Sequence, residues 1–77
     1  MEIKILGPGC PKCKSLEKLA REVVEKNGID ATVTKIEDIV AIMNYGVMTT
    51  PALVIDEKVV LKGRVPSMDE LKSILTR

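Results

Sequence analysis

The strongest constraint on the fold is the junction near the start of the chain, where a short apolar run gives way to a long amphipathic one. Residues 2–6, Glu-Ile-Lys-Ile-Leu, are rich in branched side chains and predict a strand, which Gly7-Pro8-Gly9 ends. Over residues 11–26 the apolar side chains recur at helical spacing, and Pro11 suits the first helical position. The chain therefore opens with a strand and a helix joined by a short loop.

The rest of the chain continues this alternation. The patterns predict a strand at 31–36, a short helix at 37–45, a hairpin of strands at 52–55 and 59–61, and a last helix that begins at Ser67 in a capping box with Glu70. A helix between the first two strands makes them parallel. The order β-α-β-α-β-β-α predicts an α/β fold with a four-stranded mixed sheet flanked by helices.

Composition excludes several classes of protein. The 77 residues are enough for one domain, which we expect to span 1–77, and 45% hydrophobic with 30% charged residues is an ordinary globular balance. The net charge of +1 supplies no long-range field for nucleic acid, and Tyr45 is the sole aromatic residue on which a base would stack. Nucleic acid is therefore not an expected partner.

No long apolar run predicts a membrane span, and Met1-Glu2-Ile3-Lys4 lacks the pattern of a secretory signal. We therefore expect a cytoplasmic protein without a membrane partner. In that reducing compartment a pair of cysteines two residues apart is expected to be catalytic or metal-binding, whereas a permanent structural disulfide is the less favoured alternative. The absence of Gln and the excess of Lys and Glu favour a thermophilic source.

The only two cysteines lie at the start of the first predicted helix, in Cys10-Pro11-Lys12-Cys13. Unpaired N–H groups and the helix dipole favour a thiolate there, and Lys12 and Lys14 add positive charge. We expect these groups to lower the pKa of Cys10 below the usual value of about 8.5. A Cys10 thiolate would then form a mixed disulfide with a target, which Cys13 would resolve.

With this motif after the first strand and Thr50-Pro51 before the third, the chain resembles the thioredoxin fold in its minimal form. It is similar in size to glutaredoxins and to the small archaeal and bacterial redox-active disulfide proteins, and the resemblance covers essentially the whole chain. It implies a thiol–disulfide oxidoreductase in which Cys10 is the nucleophile and Cys13 the resolving thiol. Pro51 would be the cis-proline that shapes the substrate groove.

The resemblance also implies what such a protein works with. No cofactor and no metal are expected, and the substrates would be disulfide-containing proteins or small disulfides. Electrons would come from a reductase similar to thioredoxin reductase or from a thiol, and the chain would act as a monomer. Gly9, Thr50 and Gly63 are the candidate substrate-binding residues beside Pro51, with the Thr50 backbone offered to a substrate peptide.

The chain departs from the family pattern at several positions. Pro11-Lys12 is neither the Gly-Pro of thioredoxins nor the Pro-Tyr of glutaredoxins, so these two residues are expected to modulate the redox potential. Standard thioredoxins carry a buried acid in the first strand as a proton relay for the second cysteine. Lys4 occupies that position here, and we expect it to be a partly solvated lysine rather than a catalytic group.

The region after the fourth predicted strand is a partial match to the glutathione site of glutaredoxins. Gly63 would allow close backbone approach, and Arg64 would pair with a carboxylate near the helix start at residues 67–69. Alternatively, Gly63 is an ordinary turn glycine and Arg64 a solvated arginine, and neither binds a ligand.

Two other functions stay open at this point. A small metal chaperone also places CxxC between a strand and a helix and binds Cu(I) with two thiolates, although Pro8 stands where such domains carry Met and the chain ends in a helix. Zinc needs about four N or S ligands, so it would require a bridged dimer. The third reading is a thioredoxin-fold interaction module with incidental thiols.

Apolar residues near the thiols fit either a docking groove or the core, and we favour the core. They are Pro8, Val47 and Met48. Met43 and Met68 are likewise expected in the core, together with Met48, rather than at a metal site.

Overall fold

A computed structural model describes residues 1–76. Its elements follow the predicted order: β1 (Glu2–Leu6), α1 (Pro11–Lys26), β2 (Thr32–Ile36), α2 (Ile39–Asn44), β3 (Ala52–Ile55), β4 (Lys58–Lys62) and α3 (Met68–Leu75). The four strands form one sheet in the order β2-β1-β3-β4. β1 pairs with β2 in parallel, whereas the β1–β3 and β3–β4 pairs are antiparallel. The α/β order and the mixed sheet are confirmed.

Several element boundaries differ from the sequence prediction by one or two residues, and the starts of α2 and β4 do so for local reasons. α2 begins two residues later than predicted, because Asp38 caps it and its Oδ1 accepts the Val40 N–H at 3.1 Å. β4 begins at Lys58, so the hairpin loop has only two residues, Asp56 and Glu57. Both have positive φ, 49° and 70°, the backbone that a two-residue type I′ turn requires.

The sheet carries a hydrophobic core on each face. α1 and α3 cover one face with the larger cluster: Ile3, Ile5, Leu16, Ala20, Val23, Leu53, Leu61, Leu71 and Leu75. α2 covers the other face with Leu6, Ile42, Val47, Ala52 and Val54. Each fully buried Leu, Ile or Val contributes about 1.5–3 kcal/mol relative to an exposed one. The larger cluster therefore joins the helix that carries the cysteines firmly to β1 and β3.

The expectation that three methionines belong to the core is wrong. Met48 is 87% exposed and Met43 is 58% exposed, and Met68 is exposed at the first position of α3. The physical reason for Met43 is that α2 has only six residues, and Ile42 is its only buried one. Val47, by contrast, is buried as favoured, whereas Pro8 is exposed.

The helix ends follow their caps. Two i,i+4 ion pairs stabilise α1, at 3.0 Å for Arg21–Glu17 and 2.8 Å for Lys26–Glu22. Ser67 Oγ accepts the Glu70 N–H at 3.2 Å, which is one half of the predicted capping box. The other half is missing because the Glu70 carboxylate pairs with Arg64.

Across residues 1–76, each helix is too short or too polar to span a bilayer.

Candidate active site

The two cysteines lie at the N-terminus of α1 and form a disulfide, with Cα atoms 5.1 Å apart. Cys10 is the N-cap residue with extended backbone, and its Sγ accepts the Cys13 N–H at 3.2 Å. Cys10 is half-buried, whereas Cys13 is only 5% exposed and packs inside the first turn. The geometry thus gives one partly exposed cysteine and one buried cysteine.

The surroundings of Cys10 favour negative charge on its sulfur. The helix N-terminus directs an N–H group at Sγ, and the 16 residues of α1 supply a full helix dipole. Lys12 and Lys14 are exposed nearby, and the first turn, which the structure describes completely, carries no acidic side chain. These groups would stabilise a Cys10 thiolate once the disulfide is reduced.

Gly7 provides the surface against which Cys13 packs. A Cβ at Gly7 would lie 2.2 Å from Cys13 Sγ and 2.8 Å from Cys13 Cβ, so only glycine fits there. The Gly7 N–H donates to the Ile36 carbonyl at 2.9 Å, which extends the β1–β2 ladder up to the site. Gly7 was not among the residues predicted for the site, although its place in Gly-Pro-Gly was a signal for close packing.

Gly9, a predicted substrate-binding residue, lies in the loop just before Cys10. Its φ of 91° is a backbone conformation that favours glycine, and a Cβ there would lie 3.4 Å from Glu37 Oε2. The loop therefore passes close to the end of β2 before it enters α1.

The loop before β3 faces the disulfide. The Thr50–Pro51 peptide bond is cis, as the resemblance implied, and Pro51 is buried. The Thr50 Cβ would lie 3.9 Å from a Cβ at Gly7, which brings this loop next to the surface that holds Cys13. Among residues 1–76 the Thr50 backbone donates and accepts no hydrogen bond, so it is available to a peptide.

Gly63 lies against the same loop. Its N–H donates to the Pro51 carbonyl at 2.8 Å, and a Cβ there would lie 3.2 Å from Thr49 Oγ1. Gly63 therefore supports the loop, and its N–H is already occupied by the Pro51 carbonyl. Arg64, the other half of the suggested ligand site, pairs with the Glu70 carboxylate, which keeps the pKa of that carboxyl below its usual value.

An apolar groove of about 270 Å³ adjoins the site. It is lined by Pro8, Ile39, Ile42, Met43, Val47, Met48 and Thr50. Pro8 comes from the loop before the cysteines and Thr50 from the cis-proline loop, so the groove begins beside the disulfide. Two of the methionines predicted for the core, Met43 and Met48, form flexible walls of this groove.

A second, smaller cavity lies on the other side of Cys13. It has a volume of about 40 Å³ and is lined by Ile5, Gly7, Gly9, Cys13, Lys14, Glu17, Lys35 and Glu37. Four of these side chains are charged, which makes the environment behind Cys13 far more polar than the groove.

Lys4 lies on the face of the sheet opposite α1, because it alternates along β1 with the buried Ile3 and Ile5. Its Nζ donates to the Tyr45 hydroxyl at 2.9 Å and to the Glu57 carboxylate, and it pairs with Glu2 at 3.1 Å. The hydrogen bond to Glu57 is the main cause of a raised Lys4 pKa. Lys4 is a paired, partly solvated lysine, as expected.

Taken with the mixed sheet, a disulfide at a helix N-terminus opposite a cis-proline loop defines the class of thioredoxin-fold thiol–disulfide proteins. A family model described as thioredoxin domain matches residues 1–76, so the chain belongs to the thioredoxin family. It is a thiol–disulfide oxidoreductase.

Named relatives agree with this assignment. A thioredoxin of Methanothermobacter thermautotrophicus is 43% identical over 76 residues, which cover 99% of each chain. A thioredoxin of Methanocaldococcus jannaschii is 38% identical over 95% of this chain and 84% of its own. A probable thioredoxin of Archaeoglobus fulgidus is 32% identical over 92% of this chain and 80% of its own.

Proposed function

We propose that the Cys10-Pro11-Lys12-Cys13 dithiol reduces disulfides in proteins or small molecules. The observation that carries the proposal is the difference between the two cysteines: Cys10 is partly exposed and its Sγ accepts a helix N–H, whereas Cys13 is buried. Pro11 and Lys12 are both exposed between the cysteines and tune the potential through the helix start and its charge.

The reaction proceeds in two exchanges. The Cys10 thiolate attacks one sulfur of the substrate disulfide, and the other substrate sulfur leaves as a thiolate that takes up a proton. The Cys13 thiol then loses its proton and attacks Cys10 Sγ, which releases the second substrate thiolate and forms the Cys10–Cys13 disulfide. The protein loses two electrons and the substrate gains two, so no cofactor takes part in this half-reaction.

Recognition of the substrate uses the surfaces beside the disulfide. The Thr50 backbone next to Pro51 pairs with the main chain of an extended peptide. Gly63 takes part by holding the Pro51 carbonyl, and Gly9 by giving the loop before Cys10 its positive φ. The apolar groove accepts hydrophobic side chains near the substrate disulfide. Main-chain pairing and a flexible methionine wall together favour broad rather than narrow specificity.

The electron donor of this cycle is a reductase similar to thioredoxin reductase or a small thiol. The chain works as a monomeric single domain of residues 1–77 in the cytoplasm, where such a donor keeps the dithiol reduced. Arg77 lies outside the described residues, and nothing in the proposed site depends on it.

The role of each cysteine is tested with insulin reduction and with a trapped intermediate. Cys10→Ser abolishes reduction, whereas Cys13→Ser accumulates a mixed disulfide with the substrate, detected as a mass adduct. Ser15→Ala, an exposed change on the same helix, is the matched control and retains wild-type activity. Equal adduct formation by both cysteine variants contradicts the assigned roles.

A second measurement separates this function from Cu(I) binding, since two thiolates are also a copper ligand set. Within residues 1–76, no group of three or more His, Cys, Asp or Glu side chains is arranged around a common centre. We expect a reversible two-electron transition against dithiothreitol and weak Cu(I) affinity in a competition assay. Tight Cu(I) binding without disulfide exchange would support the metal chaperone, and unchanged partner binding after loss of both thiols would support the interaction module.

A further inference from the structure

The second exchange needs a proton acceptor for Cys13. A buried thiol ionises less readily than an exposed one because burial disfavours the charged form, and Cys13 is only 5% exposed. The family position for a buried acid holds Lys4, which lies on the opposite face of the sheet and pairs with Glu57 and Glu2. Lys4 therefore does not serve Cys13, and a side-chain acceptor has to come from another part of the chain.

The cavity of about 40 Å³ beside Cys13 contains the candidates. The charged groups that line it are Lys14 and Glu17 of α1, Lys35 of β2, and Glu37, which follows β2. A water molecule needs about 10–15 Å³ of such space and at least two polar partners, so this cavity admits water next to the thiol. A proton relay between Cys13 and a carboxylate is therefore sterically possible.

Glu17 is the better placed of the two carboxylates. It lies one turn after Cys13 on the same helix, at the i,i+4 spacing that puts side chains next to each other. Its side chain is 18% exposed, whereas that of Glu37 is 56% exposed. Glu17 is thus the more buried of the two carboxylates that line the cavity.

Two cations hold the Glu17 carboxylate in place. Arg21 donates to Oε2 at 3.0 and 3.2 Å, and Lys35 Nζ lies 3.9 Å from Oε1. Lys35 is also 3.9 Å from Glu37 Oε1, so it bridges the two acids that line the cavity. The Lys35 ammonium therefore offsets the negative charge of these two carboxylates beside Cys13.

We propose that Glu17 accepts the Cys13 proton through water in this cavity, with its carboxylate held by Arg21 and Lys35. This assignment rests on the function proposed above and deepens it. The S–H bond of Cys13 breaks, the proton passes to Glu17 Oε1, and the sulfur keeps the electron pair with which it attacks Cys10 Sγ. The carboxylate becomes neutral as the thiolate appears, so the total charge behind Cys13 stays constant during the transfer.

The test is stopped-flow reaction of the reduced protein with dithionitrobenzoate. Attack by Cys10 releases one coloured thiolate in a bimolecular phase, and attack by Cys13 releases a second in a unimolecular phase. We expect Glu17→Gln to slow the unimolecular phase about ten-fold or more at pH 6.5, because general-base assistance is typically worth 10²–10⁴-fold and water replaces part of it. The bimolecular phase should stay within two-fold.

Two further variants and the pH profile separate proton transfer from a structural effect. At pH 10 the wild type and Glu17→Gln should converge within two-fold, because hydroxide then removes the Cys13 proton. Glu17→Asp keeps a carboxylate and should be faster than Glu17→Gln at pH 6.5. Glu25→Gln removes the same charge from an exposed position on the same helix and should match the wild type.

The outcomes distinguish the two proposals. An unchanged unimolecular phase in Glu17→Gln, a deficit that persists at pH 10, or equal rates for Glu17→Asp and Glu17→Gln overturns the relay. A larger deficit in Glu37→Gln than in Glu17→Gln overturns the choice of acceptor. Failure of the wild-type protein to release the second thiolate contradicts the proposed function itself rather than the relay.

Discussion

Replacing Gly7 with alanine perturbs the site at a single contact. The new Cβ would lie 2.2 Å from Cys13 Sγ and 2.8 Å from Cys13 Cβ, whereas ordinary contacts begin near 3.4 Å. The first turn of α1 and the end of β1 must therefore separate by roughly 1 Å. Both belong to elements tied into the larger core cluster, so this movement disturbs packing on that face of the sheet.

The cost follows from the behaviour of tightly packed cores. Overpacking by one methyl group typically costs about 1–3 kcal/mol, which raises the unfolding equilibrium constant about 5- to 150-fold. For a domain of this size, each 1 kcal/mol lowers the Tm by about 4–8 °C. A misplacement of about 1 Å also slows a positioned reaction by up to about 100-fold. We therefore expect lower stability and a slower attack by Cys13.

The assay combines thermal unfolding of the oxidised protein with the unimolecular dithionitrobenzoate phase of the reduced protein. Gly28→Ala is the matched control, because Gly28 has a φ of 59° and no described atom lies within 4 Å of its added Cβ. It should lose about 1–2 kcal/mol from backbone strain but keep the wild-type rate. A Gly7→Ala protein with a Tm within 2 °C of the wild type and an unchanged rate would refute the reasoning.

Other positions make further predictions. Lys12→Glu should raise the pKa of Cys10, because a negative charge then replaces a positive one beside the thiolate. Thiolate absorbance at 240 nm as a function of pH measures this pKa, and an unchanged titration midpoint contradicts the prediction. The Lys4 ammonium holds the pKa of Glu57 below its ordinary value of 4.5, so this pair stabilises the fold above that pH and ceases to do so as pH falls through the lowered pKa. Glu57→Gln should therefore be less stable than the wild type in urea at pH 7, with the difference narrowing between pH 5 and 3; a constant difference refutes this. Ser67→Ala should cost about 1 kcal/mol in urea unfolding through the lost N-cap, and an unchanged midpoint counts against the cap.

Local patterns in the sequence were sufficient for most of the fold. The apolar spacing over residues 11–26 matches α1, because the interactions that form a helix depend on neighbours three or four residues away. The strand boundaries of β1 were right for the same reason. The prediction of a capping box at Ser67 was half right. Ser67 caps the helix, but the Glu70 carboxylate pairs with Arg64, whose position depends on the preceding loop.

Residues that act through tertiary contacts were harder to assign. Met43 and Met48 have the hydrophobicity of core residues, yet the orientation of a six-residue α2 leaves them at the groove. From the sequence, Gly7 was interpreted only as a residue that ends the first strand. Its close contact with Cys13 Sγ arises because α1 packs against the end of β1. Lys4 stands where the family has a buried acid, and no local pattern identified Glu17 as another carboxylate near Cys13. The contact between Lys35 and Glu17 joins β2 to α1, which are separate segments of the chain.

The sequence by itself determined the redox pair, the helix that begins at it, and the order of strands and helices, because each depends on neighbouring residues and on their periodicity. Only the tertiary structure decided which groups surround the two sulfurs. The mixed sheet brings residues 7, 13, 35 and 50 together from four separate segments, and that proximity results from strand pairing and core packing rather than from any local pattern. The chemistry of Cys13 therefore depends on contacts that no short stretch of the chain contains.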